Sequence, residues 1–441
     1  MQTLLQRSIL VLFAVGIVAG FWHAAGGSRD DFDEERGITW LVPITYMKPA
    51  YEGLAETFRQ AHPDIPLRII WVPGNEYQMK FKTLAASGDA PDVFYTGDVW
   101  VAYMLPFLRP ITDFVERDRE EIDLDDFYPE VLKAIQHEGE YYFLPVHINV
   151  SLLYYNKKLF DEAGLAYPDR TWTWEDLIHA SQRIRRTLPD GTEIWGCDMD
   201  PGWWGEWLMY VRQSGGRMFD EDLTRCLLDT PEAIRGVEFY RDKVLEHDVS
   251  PRPGYGPTTR FASGRMGLVC GGHTTFWRIY NKVPDLEWDI EILPLGPVQR
   301  NGGEIAVGAY AISKDSRHPE LAWELVKHLA SKEGVAEECR AGGVPTRRSV
   351  AEQLLLGPDR TQNPRNVKAA FDQMPFAMPI PRSPDYIEIA IEVIQPEIDR
   401  MLQGEQTAEQ ACRRATAAAN RFIETLGRGG QSPTSDTRTS G

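Results

Sequence analysis

The chain has 441 residues, 43% hydrophobic and 25% charged, an ordinary globular composition with length for two or three domains that each bury a core. Its 47 Lys and Arg stand against 65 Asp and Glu, a net charge of -18, and no run of basic residues occurs. Nucleic acid and anionic membrane surfaces, which need clustered cations, are excluded as main partners.

At the N-terminus Arg7 is the only charge ahead of an apolar run from Ile9 to Trp22, and the small residues Ala24, Ala25, Gly26 and Gly27 follow. Residues 1–27 are therefore expected to be an export signal, cleaved after Gly26, or a retained membrane anchor. No cysteine stands at the cleavage point to carry a lipid. The five cysteines, Cys197, Cys226, Cys270, Cys339 and Cys412, have neither metal nor redox spacing. At least one is unpaired; Cys197 with Cys226 is one conceivable disulfide, and Cys270 reads as a buried strand thiol.

After a charged linker, Ser28 to Arg36, the chain reads as a strand (Ile38 to Val42), a helix (Tyr51 to His62, with Tyr51, Leu54, Ala55 and Phe58 on one face) and a strand (Leu67 to Val72). Helix Tyr77 to Ser87 and strand Asp92 to Tyr95 repeat the unit, with right-handed crossovers. In open parallel sheets ligands sit beyond the carboxyl ends of strands, which points to the loops Pro43 to Lys48, Pro73 to Glu76 and Thr96 to Tyr103. Leu144-Pro145-Val146 is an apolar run interrupted by a residue that cannot donate to a ladder, so an edge, a bulge or a strand start is expected there. Asn149 to Tyr155 resumes as strand, and a short helix ends at Gly164. Thr173 and Asp176 form a capping box before a helix running to Leu188. Thr230-Pro231 opens a helix to His247, with Ala233, Val237 and Tyr240 at helical spacing. Strands follow at Met266 to Cys270, Ile290 to Leu293 and Ala306 to Ile312, and then a helix after Pro319. Gly342 to Thr346 is a turn-rich stretch, and from Val350 the chain reads as helical, with a proline-rich break at Pro375 to Pro384. The tail beyond Gly427 is polar and expected to be disordered.

The stretch LPVHINVSLLYYNKKLFDEAGLAYPDRTWTWEDLIHAS, from Leu144, resembles the interlobe region of extracellular solute-binding proteins of bacterial ABC importers, in the sugar-binding group. Three further stretches are similar in the same order: AASGDAPDVFYT from Ala85, FASGRMGLVCGGHTTFW from Phe261, and VGAYAISKDSRHPELAWELVKHLAS from Val307. The resemblance spans Gly37 to Gly427. It implies an α/β, two-lobe periplasmic-binding-protein-like fold of type II, with two mixed α/β lobes joined by a hinge of three crossings. Residues 37–147 and 305–342 would form lobe one, residues 148–304 and 343–427 lobe two, and residues 428–441 the tail. It further implies a periplasmic, monomeric protein that binds a small carbohydrate without cofactor or metal and delivers it to a membrane permease.

Gly202-Trp203-Trp204-Gly205-Glu206-Trp207 places three indoles within five positions beside glycines. Indole faces stack on sugar rings while a carboxylate such as Glu206 accepts from hydroxyls; the alternative, open above all for Trp207, is packing in the lobe-two core. Family members carry ligand-stacking aromatics in this part of lobe two. The resemblance also assigns Asp98 as a hydroxyl acceptor in the loop with Trp100, against the alternative of a helix-capping aspartate. Tyr46 stands in the first loop. Gly272 and His273 follow the second-lobe strand, where relatives often carry a tryptophan, and a lone histidine is more often structural than a metal ligand. His147 and Asn149 lie in the hinge. Tyr310 and Arg347 lie at the other crossings, where the arginine would clamp an anion or form a structural ion pair.

No nucleophile elbow, zinc-protease helix or phosphate loop occurs. The remaining alternatives are a glycosidase whose two acids are distant in sequence and a sensory binding protein that reports to a membrane receptor.

Overall fold

A computed structural model describes residues 36–429, apart from 75, 98–103, 199–203, 253–256, 275, 301, 359–361 and 380–383. Strand β1 (Ile38–Ile44), helix α1 (Lys48–Ala61), β2 (Leu67–Pro73), α2 (Tyr77–Ser87) and β3 (Val93–Gly97) open the chain. β1 lies between β2 and β3, parallel to both. α1 begins three residues earlier than its apolar face suggests because Pro49 fits a first turn, and it buries Ala50, Tyr51, Leu54, Ala55 and Phe58. The aspartate of the Gly-x-x-Pro-Asp stretch has a structural duty. Asp92 Oδ2 accepts from the Thr39 amide and hydroxyl, both at 2.8 Å, and its Oδ1 accepts from Ser316 Oγ at 2.6 Å.

The element that joins everything is β4 (Phe143–Asn156), 14 residues in one strand, well beyond the usual five or six. The sequence suggests two strands on either side of a proline; the structure runs them together as one. Pro145 sits beside the register shift between Gly308 and Ala309 of the neighbouring strand β8 (Glu304–Ile312), so its missing donor falls at a bulge. Residues 143–150 of β4 pair antiparallel with β8, whose far edge carries β3. Residues 151–155 pair with β6 (Met266–His273), which is parallel to β5 (Glu193–Cys197). Across β4 from β6 lies β7 (Trp288–Glu291) at residues 153–156, and across β4 from β8 lies the short β9 (Val344–Pro345) at residues 147 and 148. One twisted sheet of order β2-β1-β3-β8-β4-β6-β5 results, with β4 at its centre.

Helices cover both faces. α3 (Lys157–Ala163) ends on Gly164 at φ +64, the left-handed cap expected of it. α4 (Trp174–Ile184) carries the full Thr173 and Asp176 capping box but stops short of Leu188, because Arg186 and Thr187 leave it to pair with Ile194 and Glu193. α5 (Trp204–Gln213) packs on α6 (Pro231–Leu245), where Gly236 allows its backbone to meet that of Val211 directly; any Cβ would collide. α7 (Pro319–Leu329) and α8 (Lys332–Arg340) cover the first half-sheet.

In the stretch expected to lie with the second lobe, α9 (Arg348–Leu354) packs on elements of the first half-sheet. Arg348 Nη2 donates to the Asp125 and Phe127 carbonyls, Ser349 bonds both Asp126 carboxylate oxygens, and Val350 joins the core of Ile38 and Trp40. α10 (Lys368–Gln373) then lies against β4 and β7. Pro384–Glu388, a wider π turn at Ile389–Ile394 and α11 (Gln395–Leu402) follow, before α12 (Ala408–Gly429) closes the second half. Pro396, with no N–H to return to residue 392, accounts for the widened turn. All five cysteines are buried thiols outside any disulfide, so the Cys197–Cys226 bridge is not formed; Cys197 Sγ lies 3.1 Å from Ser250 Oγ instead.

Two glycines make opposite predictions. Gly53 sits exposed inside α1, and a methyl group placed on its Cα would meet no neighbour, so Gly53→Ala is expected to stabilise by about 0.5–1 kcal/mol. Gly308 faces His147, and a Cβ there would collide with the imidazole and lie 2.7 Å from Tyr95 Oη. Gly308→Ala is expected to destabilise by about 1–3 kcal/mol. Urea unfolding midpoints of the two variants should move in opposite directions.

Candidate functional site

The carboxyl ends of strands from both half-sheets terminate against the middle of β4. Gly97, the last residue of β3, pairs with Gly308, which in turn pairs with His147. His273, the last residue of β6, pairs with Ser151. These two ends are about 13 Å apart along β4 at the usual rise per residue. The loops that leave them, and the one that leaves β5 at Cys197, include the sequence candidates Asp98, Trp100 and Trp203, which lie outside the described residues, and Trp204, the first residue of α5. Thr274 Oγ1, just past β6, donates to Asn149 Oδ1 at 2.8 Å and also lies 3.1 Å from the Ile148 carbonyl. Asn149, Gly272 and His273 are thus brought together at the centre of the sheet. Gly272 pairs with Leu152, and a Cβ on it would press on Val269 and the Tyr154 ring at about 3.0 Å. Tyr46 is half-buried on the core under β1, in the loop at that strand's carboxyl end.

A buried chain of hydrogen bonds braces this centre. His147 Nδ1 is 2.7 Å from Glu338 Oε2, and its Nε2 is 3.2 Å from Tyr95 Oη, with the two rings stacked at 5.8 Å. Tyr310 Oη donates to the other oxygen of Glu338 at 3.0 Å. Both ring nitrogens of His147 are therefore engaged within the protein. Burial, and secondarily the Glu338 charge, push the Tyr310 phenol well above its ordinary range, so it remains a neutral donor.

Three candidates chosen for residue type prove to be interior. Tyr310 is fully buried, edge-on to Trp40, with its hydroxyl on Glu338, and has no surface to offer a ligand. Arg347 is 2% exposed: Nε donates to the Ala330 carbonyl, Nη2 to Ile122 and Nη1 to Asp123 and Asp126, while the plane stacks on Phe127 at 4.0 Å. That arginine closes a helix junction and is the structural ion pair, not an anion clamp. Glu206 is 5% exposed and faces Lys243 Nζ at 3.3 Å rather than an open cleft. Its neighbour Trp207 is fully buried with Nε1 donating to Gln395, the core alternative.

Lys243, Glu338, Tyr95 and Thr274 are residues of this centre that the sequence does not single out. Lys243 is fully buried, its Nζ shared among the Asp198 carbonyl (3.0 Å), Tyr210 Oη (3.1 Å) and Glu206. Burial alone would draw the ammonium down, but Glu206 and its neighbours outweigh this and hold it above its ordinary value, hence charged. Asp198 Oδ1 in turn accepts from the Cys270 amide at 2.9 Å. The pair therefore anchors the start of α5 and the chain at 198, on either side of the 199–203 loop. Lys243 is legible in principle, since it follows Ala233, Val237 and Tyr240 on the buried stripe of α6. Glu338 carries no local signal; its partner His147 is 191 positions away.

Two α/β half-sheets sharing one strand, with strands of both halves ending toward its middle, make this a two-lobe binding protein of the periplasmic type. The chain belongs to the bacterial extracellular solute-binding protein family, whose pattern it matches over residues 44–336. Among its relatives, an arabinooligosaccharide-binding protein of Halalkalibacterium halodurans is 27% identical over 324 residues, 69% of this chain and 70% of that one. A mannitol-binding protein of Pseudomonas aeruginosa is 25% identical over 410 residues, 83% of this chain and 88% of that one. Among solved structures, an ABC substrate-binding protein of Listeria monocytogenes in complex with cycloalternan superposes with a TM-score of 0.75 at 23% identity, covering 88% of this chain and 99% of that one. No described helix is long and apolar enough to cross a membrane.

The anchoring pair predicts a non-additive mutant series. Lys243→Met strands a buried Glu206 and is expected to cost about 3–5 kcal/mol, whereas Lys243→Met with Glu206→Leu should recover most of that loss. Denaturant unfolding of both proteins checks it; equal losses would show that the pair is not coupled.

Proposed function

We propose that this protein captures a small sugar or oligosaccharide in the periplasm and delivers it, unaltered and as a monomer, to the membrane permease of an ABC importer. The observation that carries the proposal is the convergence of the β3 and β6 carboxyl ends toward the middle of β4; in the proposal, the loop of Asp98 and Trp100 that follows β3 lines one side of the cleft and the loops of Trp203, Trp204 and His273 that follow β5 and β6 line the other. Aromatic faces and hydroxyl acceptors on both sides suit a ring-shaped polyhydroxylated ligand. The names of the relatives, which span oligosaccharides and a polyol, agree.

In this proposal the lobes divide near residues 147/148 and 304/305, with α9 moving as part of the first, and the ligand favours the closed arrangement because each lobe supplies part of the contacts. Asp98, Trp100, Trp203, Trp204, His273 and Asn149 are the contact residues, with Tyr46 at the margin. Binding without turnover distinguishes the proposal from a glycosidase.

A thermal-shift screen with maltotriose, arabinotriose and mannitol tests it. A ligand at a hundred times its dissociation constant should add about 2.7 kcal/mol of stability, and chromatography should recover it intact; consumption with new products would replace transport by hydrolysis. Trp203→Ala and Trp204→Ala are each expected to weaken binding by about 1–3 kcal/mol with little change in the unliganded unfolding midpoint. Loss of stability with retained affinity at both would remove these indoles from the site. Small-angle scattering at saturating ligand should show a reduced radius of gyration, and an unchanged one would refute lobe closure.

A further inference from the structure

At the far end of α5 from its tryptophans lies a second cavity, of 800 Å³, walled by Leu208, Met218, Phe219 and Tyr386, with Val298 on its rim and Arg212 at its base. Arg212 is eight residues beyond Trp204, about 12 Å along the helix axis, so this cavity is separate from the end of α5 that faces the proposed carbohydrate site.

The guanidinium is the unusual feature. Arg212 is only 7% exposed, yet the sole hydrogen bond of its side chain among the described residues runs from Nη1 to the Gly302 carbonyl, at a long 3.3 Å. No carboxylate of the described residues lies within ion-pair distance of it. The contrast with Arg347 is internal to this molecule: that guanidinium, equally buried, is saturated by three carbonyls and a carboxylate. A guanidinium has five fixed donors and no acceptor, and those of Arg212 without a protein partner are left to water or to a solute in the cavity. Leu208, Met218, Phe219 and Tyr386, each no more than 6% exposed, give one part of the lining an apolar face, while Arg217, Asp220 and Glu221 line another part. Arg217 on the rim is paired with Glu221, so the mouth carries no net charge from that pair. The buried Glu304 acts electrostatically on Tyr386, as Arg212 does, but stays beyond ion-pair distance of the guanidinium.

We propose that this cavity is a second ligand site, specific for a monocarboxylate with an apolar body, whose carboxylate takes the open fork of Arg212 and whose hydrocarbon packs on Leu208, Met218 and Phe219. Two parallel N–H···O bonds match guanidinium to carboxylate in a way that neither an amide nor an alcohol reproduces. Inorganic phosphate would satisfy the fork but leave the apolar walls unused.

The test is calorimetric titration of the full chain, at constant ionic strength, with benzoate, hexanoate, the neutral isosteres benzamide and hexanamide, and inorganic phosphate. The carboxylates should bind at least about tenfold more tightly than the amides or phosphate. Arg212→Gln should weaken them by about tenfold or more, and Val298→Trp, which blocks the mouth from an exposed rim position without touching Arg212, should do the same with an unchanged unfolding midpoint. Should Arg212→Gln fail to fold, Val298→Trp decides. Equal binding of acids and amides, wild-type affinity in Val298→Trp, phosphate binding as tightly as benzoate, or no binding of either acid would each overturn the proposal. Carbohydrate affinity should be unchanged in Val298→Trp, so failure here and failure of the transport proposal are read from different titrations.

Discussion

Everything in this molecule hangs on keeping one long strand continuous. β4 is buried along nearly its whole length and is paired on both edges, which leaves almost none of its backbone groups to water. Such a strand tolerates no unsatisfied donor or acceptor, and Pro145 removes one donor outright. The fold meets this by shifting the β8 register at Gly308/Ala309 and by letting Thr346 Oγ1 donate to the Pro145 carbonyl. The bulge therefore lies at the point where β3 ends and where the chain of residues 342–346 crosses. A local irregularity in one strand thus fixes where three others meet.

The same constraint explains the polar core beneath the hinge. His147, Tyr95, Glu338 and Tyr310 belong to four different elements, and each side chain takes a partner from another. Glu338 is fully buried on α8, so its carboxylate is acceptable only because an imidazole and a phenol reach both of its oxygens. This network ties the β3, β4, β8 and α8 ends into a rigid first half. Across Asn149 the contacts change character: Thr274 offers Asn149 one hydroxyl, and the β6 pairing shifts register at Leu152/Leu153. Stiffness on one side of Asn149 and sparser bonding on the other are what a bending point between lobes requires.

Much of the local structure is legible because it is written in nearest neighbours. Thr173 with Asp176, Gly164 and Thr230-Pro231 specify helix ends through backbone donors within four residues, and all three appear where the sequence places them. The loops at the β3 and β6 ends are legible from strand-loop order, whereas the stretch beyond β5 is found only through its cluster of tryptophans, the strand before it carrying no reading in the sequence. What cannot be read is which polar side chains turn inward. Arg347 and Tyr310 have the residue types of a ligand site, but their orientation is decided by Asp126, Phe127 and Glu338, far away in sequence. Glu206, close to two tryptophans, has the look of a hydroxyl acceptor; its position one turn ahead of Tyr210 and above the α6 stripe turns it to Lys243 instead.

These buried charges divide by how the fold satisfies them, and the division says where the molecule leaves room for something else. Arg347 is satisfied by carbonyls at a junction of helices, an arrangement complete without any ligand. Lys243 and Glu206 satisfy each other beside the start of α5, so that helix end is held whether or not a sugar is bound, and less ordering is left for the ligand to impose. Arg212 has one carbonyl and a cavity. A fold that had only stability to serve would have closed loop 296–300 over that guanidinium or replaced it with an apolar residue, since Leu208, Met218 and Phe219 already surround it. Arg212 is thus a buried cation whose remaining donors are left to whatever enters from solvent.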